Sequence, residues 1–170
     1  MLKYELRKSP IHGTGVFAAQ NIKKGEFIIE YLGEIVSREE ANARGLAREE
    51  RAKESGGGAV YIFELNAERC IDGNFPYNDA RFINHACRAN CEAVREGDRI
   101  LFYASRDISA GEEILCNYAY PLENFLDHPC NCGFPECVGY IVSELDRKKL
   151  RRLLRGRKPN RQKNLKAIFL

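Results

Sequence analysis

The chain has 170 residues, of which 44% are apolar and 30% charged, and we expect it to fold as one compact domain. It contains no run of about 18 apolar residues, which excludes a predicted transmembrane helix. The first six residues lack the apolar core of a signal peptide, so we expect an intracellular protein with no membrane partner.

The net charge of +3 is unevenly distributed. Residues 147–170 hold 11 Lys and Arg and no Asp or Glu, whereas the first 146 residues hold 16 basic and 24 acidic residues, a net of −8. An acidic body favours a basic partner such as a lysine-rich peptide, and a basic tail favours phosphate-bearing polymers. The alternative is that both regions are solvated surface.

The first third of the chain contains short apolar runs broken by glycine. An apolar run at 15–19 precedes a turn at 23–25, and residues 27–32 read as a strand that Gly33 ends and residues 34–36 resume. The sequence from Ser37 to Glu40 has a capping-box pattern, which predicts a charged helix from Ser37 to about Glu54, ended by the glycine triplet at 56–58.

The later elements are also short. We predict strands at 60–65, 69–72 and 113–116, a helical turn at 78–85, a hairpin of 93–95 with 99–104 around Glu96-Gly97-Asp98, and a helix from Ser143 to about Leu154 capped by Gly156. Many short strands with few helices indicate a mainly β fold. The regular alternation of strand and helix that is typical of a Rossmann-like fold is absent.

The seven cysteines favour metal binding. An odd count without a signal peptide argues against a disulfide framework. Cys130, Cys132 and Cys137 form a C-x-C-x4-C cluster, and thiolates prefer Zn(II) in closed tetrahedral sites with four ligands. Spacing leaves the fourth ligand open among Cys87, Cys91, Cys70, Cys116 and His128.

A polar segment at 81–91 is the second candidate site. Asn84 offers two donors and an acceptor, and His85 offers a switchable donor or acceptor, which suits ligand recognition. The alternative is that these side chains satisfy buried backbone groups around a turn.

Five motifs occur in the order typical of SET-domain protein lysine methyltransferases. Residues 81–90 resemble the signature R-F-x-N-H-x-C-x-P-N, and residues 113–118 resemble E-L-x-x-D-Y. Gly13-Thr14-Gly15 resembles the family's G-x-G, residues 31–34 its Y-x-G-E, and Cys130–Cys137 its post-SET cysteine motif. The ordered set, spanning roughly residues 10–141, is far more specific than any one motif.

The sequence departs from the family pattern at three positions. Ala89 stands where the family usually has proline, Asn117 replaces an aspartate, and Cys116 replaces Phe or Tyr. No cysteine array precedes the motifs, so we expect no second zinc cluster.

The resemblance implies a fold and a division of the chain. It implies a SET-domain (β-clip) fold with a pseudoknot that brings Asn84, His85, Cys87 and Tyr118 together, and a C-terminal segment stapled by zinc. Cys87 would be the fourth zinc ligand beside Cys130, Cys132 and Cys137, with Cys91 as the second choice. The implied parts are a SET domain at 1–120, a post-SET zinc segment at 121–142, and a basic helix and tail at 143–170.

The resemblance also implies site residues. S-adenosylmethionine would bind at a set of residues that spans most of the chain: Gly13, Thr14, Gly15, Tyr61, Arg81, Asn84, His85 and Asn131. Tyr118 would be the catalytic residue, with Tyr31 completing the wall of a lysine pore that Cys116 and Phe63 also line. Because Cys116 is small, we expect di- or trimethylation. The substrate peptide would add as a strand near residues 63–65.

We therefore predict a protein-lysine N-methyltransferase that acts on a lysine in a basic, histone-like peptide. Two alternatives are a catalytically inactive SET-like protein and a zinc-dependent nucleic-acid-binding module that uses the basic tail. The helix from Ser143 could instead pack its leucines onto the body of the domain. We expect a monomer, located at chromatin if the source is eukaryotic, and otherwise cytoplasmic or delivered into a host.

Overall fold

The computed structural model of the protein describes residues 2–55 and 61–156. Within these residues the strands are β1 (Tyr4–Lys8), β2 (Thr14–Ala18), β3 (Phe27–Tyr31), β4 (Glu34–Ser37), β5 (Ile62–Glu64), β6 (Arg69–Asp72), β7 (Asn84–His85), β8 (Cys91–Glu96), β9 (Arg99–Ala104) and β10 (Leu115–Cys116). The helices are α1 (Arg38–Ser55) and α2 (Arg147–Gly156), with 3₁₀ helices at Asp79–Phe82, Leu122–Asp127 and Glu144–Asp146. The predicted mainly β fold is confirmed. None of the described helices is long and apolar enough to cross a membrane.

Most elements of the sequence-based prediction are present. The strand at 27–31, its continuation at 34–37 and the 91–104 hairpin agree with prediction. Helix α1 begins where the capping pattern indicates, because the Ser37 hydroxyl accepts a hydrogen bond from the Glu40 N–H at 3.1 Å. The glycine triplet that was expected to end α1 lies outside the described residues.

Four elements differ from prediction. The strand expected at 60–65 is shorter because Tyr61 adopts a left-handed φ of 49°, and Val60 lies outside the described residues. The helical turn expected at 78–85 ends at Phe82, and the last helix opens with a 3₁₀ turn and includes Gly156. The strand expected at 113–116 is confined to β10. Strand β1 and the 3₁₀ helix at 122–127 were not predicted.

The strands form three small sheets. A five-stranded sheet has the order β3-β9-β8-β10-β7, a three-stranded sheet has the order β4-β6-β5, and β1 pairs with β2. The main apolar core lies between them and includes the fully buried side chains of Ile22, Ile100, Ile108 and Ile114. Burial of each such side chain contributes on the order of 1.5–3 kcal/mol.

Strand β10 lies between two parts of the chain that are close in sequence. It pairs in parallel with β7 on one side and with the first residue of β8 on the other, so residues 86–90 cross from one side of it to the other. Asn90, which is fully buried, secures the crossing: its amide donates to the Glu113 carbonyl at 2.8 Å and accepts from the Leu115 N–H at 2.7 Å. This is the arrangement that the predicted pseudoknot requires.

Helix α2 packs on the body of the domain through part of its apolar face. Leu150 is fully buried with Leu122, Phe125 and Val142, and Leu154 packs at the edge of this cluster. Leu145 and Leu153 are instead 91% and 47% exposed. The alternative that the predicted helix from Ser143 packs on the domain is therefore correct for two of that segment's four leucines, since Leu145 lies in the 3₁₀ turn before α2.

Helix α1 is anchored by a buried carboxylate. Asp72, at the end of β6, is 1% exposed and accepts hydrogen bonds from Arg48 at 2.7 Å and from Arg44 at 2.9 Å. Burial alone would raise the pKa of Asp72, but the hydrogen bonds from Arg48 and Arg44 outweigh it and lower the pKa from 3.8 to about 2. The two arginines therefore keep Asp72 ionised in the folded protein.

Acid should remove this anchor. A carboxylate with a depressed folded pKa stabilises the fold above its unfolded pKa and loses that contribution as the pH falls through its folded value. The shift from 3.8 to about 2 corresponds to about 2 kcal/mol. Urea unfolding should show Asp72→Asn to be less stable than wild type near neutral pH, with the difference shrinking towards pH 2. Asp98→Asn breaks an exposed, solvent-screened pair with Arg69 and should cost much less stability than Asp72→Asn. Equal losses in both variants would contradict the anchor.

Candidate active site and metal centre

Four tyrosines converge from three parts of the chain. Tyr31 ends β3, Tyr61 precedes β5, and Tyr118 and Tyr120 follow β10. The Tyr31 hydroxyl donates to the Tyr61 carbonyl at 2.8 Å, and the rings of Tyr118 and Tyr120 lie 5.9 Å apart between centroids. Burial raises the pKa of Tyr118, and Tyr120, Cys116, Tyr31 and Tyr61 are all close enough to raise it further. We call these four residues the tyrosine cluster.

The side chains predicted to line the lysine pore lie beside this cluster. The Phe63 ring tilts against Tyr31 with centroids 5.3 Å apart and also contacts Phe102 at 6.3 Å. Cys116 is buried two residues before Tyr118. The walls are therefore apolar, and the polar atoms of the cluster are the tyrosine hydroxyls and nearby carbonyls.

Hydrogen bonds hold Tyr118 at its side-chain hydroxyl and at its backbone nitrogen. Its hydroxyl donates to the Ile83 carbonyl at 2.8 Å, and its backbone N–H donates to His85 Nδ1 at 3.2 Å. The next residue, Ala119, has a left-handed φ of 53°, and its N–H donates to Asn117 Oδ1 at 3.0 Å. Since the hydroxyl proton is committed to Ile83, the lone pairs of the tyrosine oxygen remain available to a positively polarised group.

Hydrogen bonds of the Asn84 side chain connect the residues around the start of β2 to strand β7. Its side-chain nitrogen lies within hydrogen-bond distance of three oxygens: the carbonyls of His12 and Thr14 at 3.1 Å each, and Glu113 Oε1 at 3.0 Å. Within the described residues its own Oδ1 accepts no hydrogen bond, so this acceptor is open to a ligand.

Gly13, just before β2, and Gly15, within β2, are required for different reasons. Gly13 has a φ of +48°, a conformation that side chains disfavour, and the space around it is open. A Cβ on Gly15 would lie 2.4 Å from Glu113 Oε1. The close approach at Gly15 is thus to the protein's own buried glutamate.

Four cysteines form one compact group. The Sγ atoms of Cys87, Cys130, Cys132 and Cys137 all lie within 4.8 Å of one another, so together they could hold a metal ion. The Sγ atoms of Cys87 and Cys130 are separated by 3.8 Å, and the hydrogen bond between them lowers the pKa of the Cys87 thiol. An all-sulfur group of four is the donor set of a structural zinc site.

The other candidates for the fourth ligand lie elsewhere. Cys91 is buried in the main core and donates to the Leu115 carbonyl at 3.3 Å, while Cys70 packs under α1. The His128 ring packs at a tilt against Tyr120 with centroids 4.2 Å apart, and burial lowers the pKa of His128. Of the alternatives that spacing left open, Cys87 is the residue whose Sγ lies with those of Cys130, Cys132 and Cys137 in the described structure.

The SET domain model matches residues 13–119, which include Asn84, His85 and the tyrosine cluster up to Tyr118. This chain belongs to the SET domain family. The matched SET region ends before the three clustered cysteines at 130–137, which fold back onto it through Cys87.

Curated relatives of this SET domain are named as histone-lysine methyltransferases. The chain is 39% identical over 140 residues to "Histone-lysine N-methyltransferase set1" of Dictyostelium discoideum, which covers 80% of this chain and 9% of the relative. It is 42% identical over 137 residues to "Histone-lysine N-methyltransferase, H3 lysine-4 specific" of Schizosaccharomyces pombe, covering 78% and 14%. It is 36% identical over 137 residues to "Histone-lysine N-methyltransferase trr" of Drosophila melanogaster, covering 78% and 5%. The aligned segment is thus a small part of each relative.

Of the remaining predicted cofactor residues, Arg81 lies within the matched SET region and Asn131 lies beyond it. The Arg81 guanidinium stacks over Phe82 at 4.6 Å and Tyr61 at 5.4 Å and donates to the Phe75 carbonyl at 2.5 Å. Asn131 is exposed between two of the clustered cysteines. The substitution of aspartate by Asn117 leaves the oxygen that accepts from Ala119 in place.

Three residues of the site were not assigned a role from the sequence. Glu113 is 8% exposed and contacts Asn84, Tyr120 packs on Tyr118, and Arg147 donates to the Cys87 carbonyl at 2.6 Å. Glu113 opens the second signature, and Tyr120 lies two residues beyond its tyrosine, so both carried a detectable signal. Arg147 did not, because it looks like any other basic residue of the tail.

Proposed function

We propose that this SET domain transfers a methyl group from S-adenosylmethionine to the side-chain amine of a lysine in a histone-like protein. The observation that carries the proposal is the tyrosine cluster set directly against the Asn84–His85 knot, with the Tyr118 hydroxyl oriented by Ile83. The names of the relatives support a histone substrate. Such a substrate would place the enzyme at chromatin.

Several residues fit the methyl donor. The donor's amino acid end carries an ammonium group, and the open Oδ1 of Asn84 is a suitable acceptor beside the exposed residues 12–14. We assign donor binding to Gly13, Thr14, Gly15, Tyr61, Arg81, Asn84, His85 and Asn131. When bound, the donor supplies a methyl group on a positively charged sulfur.

The tyrosine cluster would prepare the lysine. A free lysine amine has a pKa of about 10.4 and is protonated near neutral pH, whereas a site that excludes water disfavours its charged form. We assign alignment of the neutral amine to Tyr118, with Tyr31 and Phe63 as walls. Tyr118 also offers its oxygen lone pairs to the polarised methyl group. Holding two reactants in line accounts for a large part of such rate enhancements.

The substrate peptide would extend the small sheet. Strand β5 is at the edge of the β4-β6-β5 sheet and, within the described residues, pairs with β6 alone. It also carries Phe63, which contacts Tyr31. A peptide strand added along β5 would gain main-chain hydrogen bonds and bring one of its side chains towards the tyrosine cluster.

The cysteine group would hold zinc as a structural ion. Its four sulfurs belong to residue 87 of the SET region and to the 130–137 loop, so the ion would fasten the C-terminal segment to the SET domain. We propose the parts 1–120, 121–142 and 143–170 on this basis, as a monomer.

The basic side of α2 would contact nucleic acid. Lys148, Lys149, Arg151, Arg152 and Arg155 are all exposed, and α2 contains no acidic residue. Phosphate contacts of this kind supply affinity without sequence specificity and weaken as salt rises. Histone substrates are bound to DNA, so this surface would favour a DNA-bound substrate over a free peptide.

Neutralising two exposed residues of α2 tests this surface. The Lys148→Gln/Arg152→Gln variant should bind duplex DNA more weakly at low salt. Its affinity should also fall less steeply as salt rises, because about two phosphate contacts are lost. Methylation of a short peptide should be unchanged. Lys23→Gln/Lys24→Gln loses the same charge elsewhere and should bind DNA like wild type. Truncation after Leu145 is unsuitable because it removes the buried Leu150. Unaltered DNA binding by the α2 variant would exclude this contact.

The small side chain of Cys116 favours di- or trimethylation. A tyrosine at this position would fill space beside Tyr118 and restrict rotation of an amine that already carries methyl groups, whereas a thiol is smaller and a weak hydrogen-bond partner. We expect Cys116→Tyr to shift the product towards monomethyl-lysine and the isosteric Cys116→Ser to leave it unchanged. Mass spectrometry after exhaustive reaction measures both. Wild-type product that stops at monomethyl-lysine would contradict the assignment.

A methyl-transfer screen tests the central proposal. The full chain is incubated with radiolabelled S-adenosylmethionine and with histones, nucleosomes and basic peptide arrays, and the labelled lysine is located by mass spectrometry. Label in a histone tail supports the proposal, and donor binding by calorimetry without label in any substrate would favour an inactive SET-like protein. If the chain binds DNA but not the donor, the nucleic-acid-binding alternative would replace it.

A further inference from the structure

We infer that His85 is a positioning residue that couples the cysteine group to the backbone of Tyr118. The inference concerns the role of one imidazole side chain, and its catalytic consequence rests on the proposed function. The coupling itself is a property of the fold that can be measured on the metal-loaded protein without any methyl transfer.

The two ring nitrogens of His85 face the two sites. Nδ1 lies 3.2 Å from the Tyr118 backbone nitrogen, whose N–H can only donate, so Nδ1 acts as the acceptor. A neutral imidazole then carries its proton on Nε2. Nε2 lies 3.8 Å from Cys87 Sγ, within hydrogen-bonding range for sulfur. The ring thus accepts from the catalytic segment and donates to a member of the cysteine group.

The surroundings leave the ring little freedom to change these contacts. His85 is 2% exposed and Cys87 is 5% exposed. His85 pairs with Cys116 in the β7–β10 register, and the Arg147 guanidinium fixes the Cys87 carbonyl at 2.6 Å. The Tyr118 hydroxyl is bound at the Ile83 carbonyl, two residues before His85 and immediately before β7. Tyr118 is therefore held at its two ends by residues 83 and 85.

A filled metal site would make this connection rigid. A metal ion that draws four thiolates together fixes the position of Cys87 Sγ, and a thiolate accepts the Nε2–H more strongly than a thiol does. Loss of a hydrogen bond to a metal ligand commonly weakens metal affinity by about 10- to 100-fold. Loading the cysteine group therefore orients the imidazole, and the imidazole orients the backbone of Tyr118.

Two substitutions separate the two contacts. In His85→Asn the amide oxygen can still accept from the Tyr118 N–H, but no donor reaches Cys87. In His85→Gln the longer amide can donate towards Cys87 while the acceptor at Nδ1 is lost. Each variant is loaded with Co(II), whose thiolate charge-transfer bands report on the sulfur ligands, and release of the metal to a chelator is timed. Circular dichroism verifies folding.

His85→Asn should shift the charge-transfer bands and release cobalt faster than wild type by on the order of 10-fold, while His85→Gln stays near wild type. In the methyl-transfer assay, His85→Gln should lower kcat with little change in the KM for peptide. Tyr118→Phe keeps its backbone N–H and should match the wild-type spectrum and release rate. Wild-type bands and release in a folded His85→Asn would overturn the coupling.

A measurement on the wild-type protein keeps the inference testable if both variants fail to fold. Loaded with cadmium-113, the protein should show a proton on His85 Nε2 in nitrogen-15 NMR spectra and a scalar coupling from that proton to the metal through Cys87 Sγ. A proton on Nδ1 instead would overturn the inference. Inactivity towards every histone would count against the proposed function and leave these spectral results unaffected.

Discussion

Replacing Tyr118 by Phe is expected to lower kcat by on the order of 100-fold or more. The hydroxyl is the one polar atom of this side chain, and it lies at the centre of the tyrosine cluster with its proton donated to the Ile83 carbonyl. The phenyl ring would keep its contacts with His85 and Tyr120. The variant should therefore fold, with a stability loss of about 1–3 kcal/mol because the buried carbonyl loses its donor.

Steady-state kinetics and thermal unfolding of the same samples separate the two effects. Tyr103→Phe is the matched control, since the Tyr103 hydroxyl bonds to Glu96 on an exposed part of the β8–β9 hairpin. It should have wild-type kcat. Near-normal turnover by Tyr118→Phe would show that another group aligns the amine, and Tyr120 would be the next residue to substitute.

Replacing Cys132 by Ser is expected to release the metal and unfold the C-terminal segment from about Leu122 onward. Cys132 is one of the four sulfurs within 4.8 Å, and a closed tetrahedral site with three thiolates binds its ion far more weakly. The clusters that contain Cys130, Ile141 and Leu150 are small, so we expect much of their order to depend on the ion.

Metal analysis and hydrogen exchange measure this outcome. Cys70→Ser is the control because Cys70 is equally buried but lies with Val36 and Ala41, away from the cysteine group. It should retain the metal and the exchange protection of residues 122–156. Purified wild type without bound metal, or a Cys132→Ser variant that keeps both metal and protection, would contradict a structural ion.

The contacts of Asp72 show which features of the fold local sequence predicts and which depend on tertiary structure. The capping pattern at Ser37 predicts the start of α1, because an N-cap is decided by residues three positions apart. Nothing local indicates that Arg44 and Arg48 of that helix meet a carboxylate 24 to 28 residues later. Charged helices usually face solvent, and burial of Asp72 depends on where β6 lies.

The same division applies to the site. The sequence by itself determined the residue types: a cysteine cluster at 130–137, the Asn84–His85 pair and Tyr118, because each belongs to a short motif whose spacing carries chemical meaning. Spacing left the fourth sulfur open, and the tertiary structure places Cys87 Sγ, which the family resemblance had indicated, within 4.8 Å of the other three. It also shortened the strand at Tyr61 and placed His85 between Cys87 and Tyr118. These features depend on contacts between residues far apart in the chain, made when β10 inserts between β7 and β8, and no local pattern records such contacts.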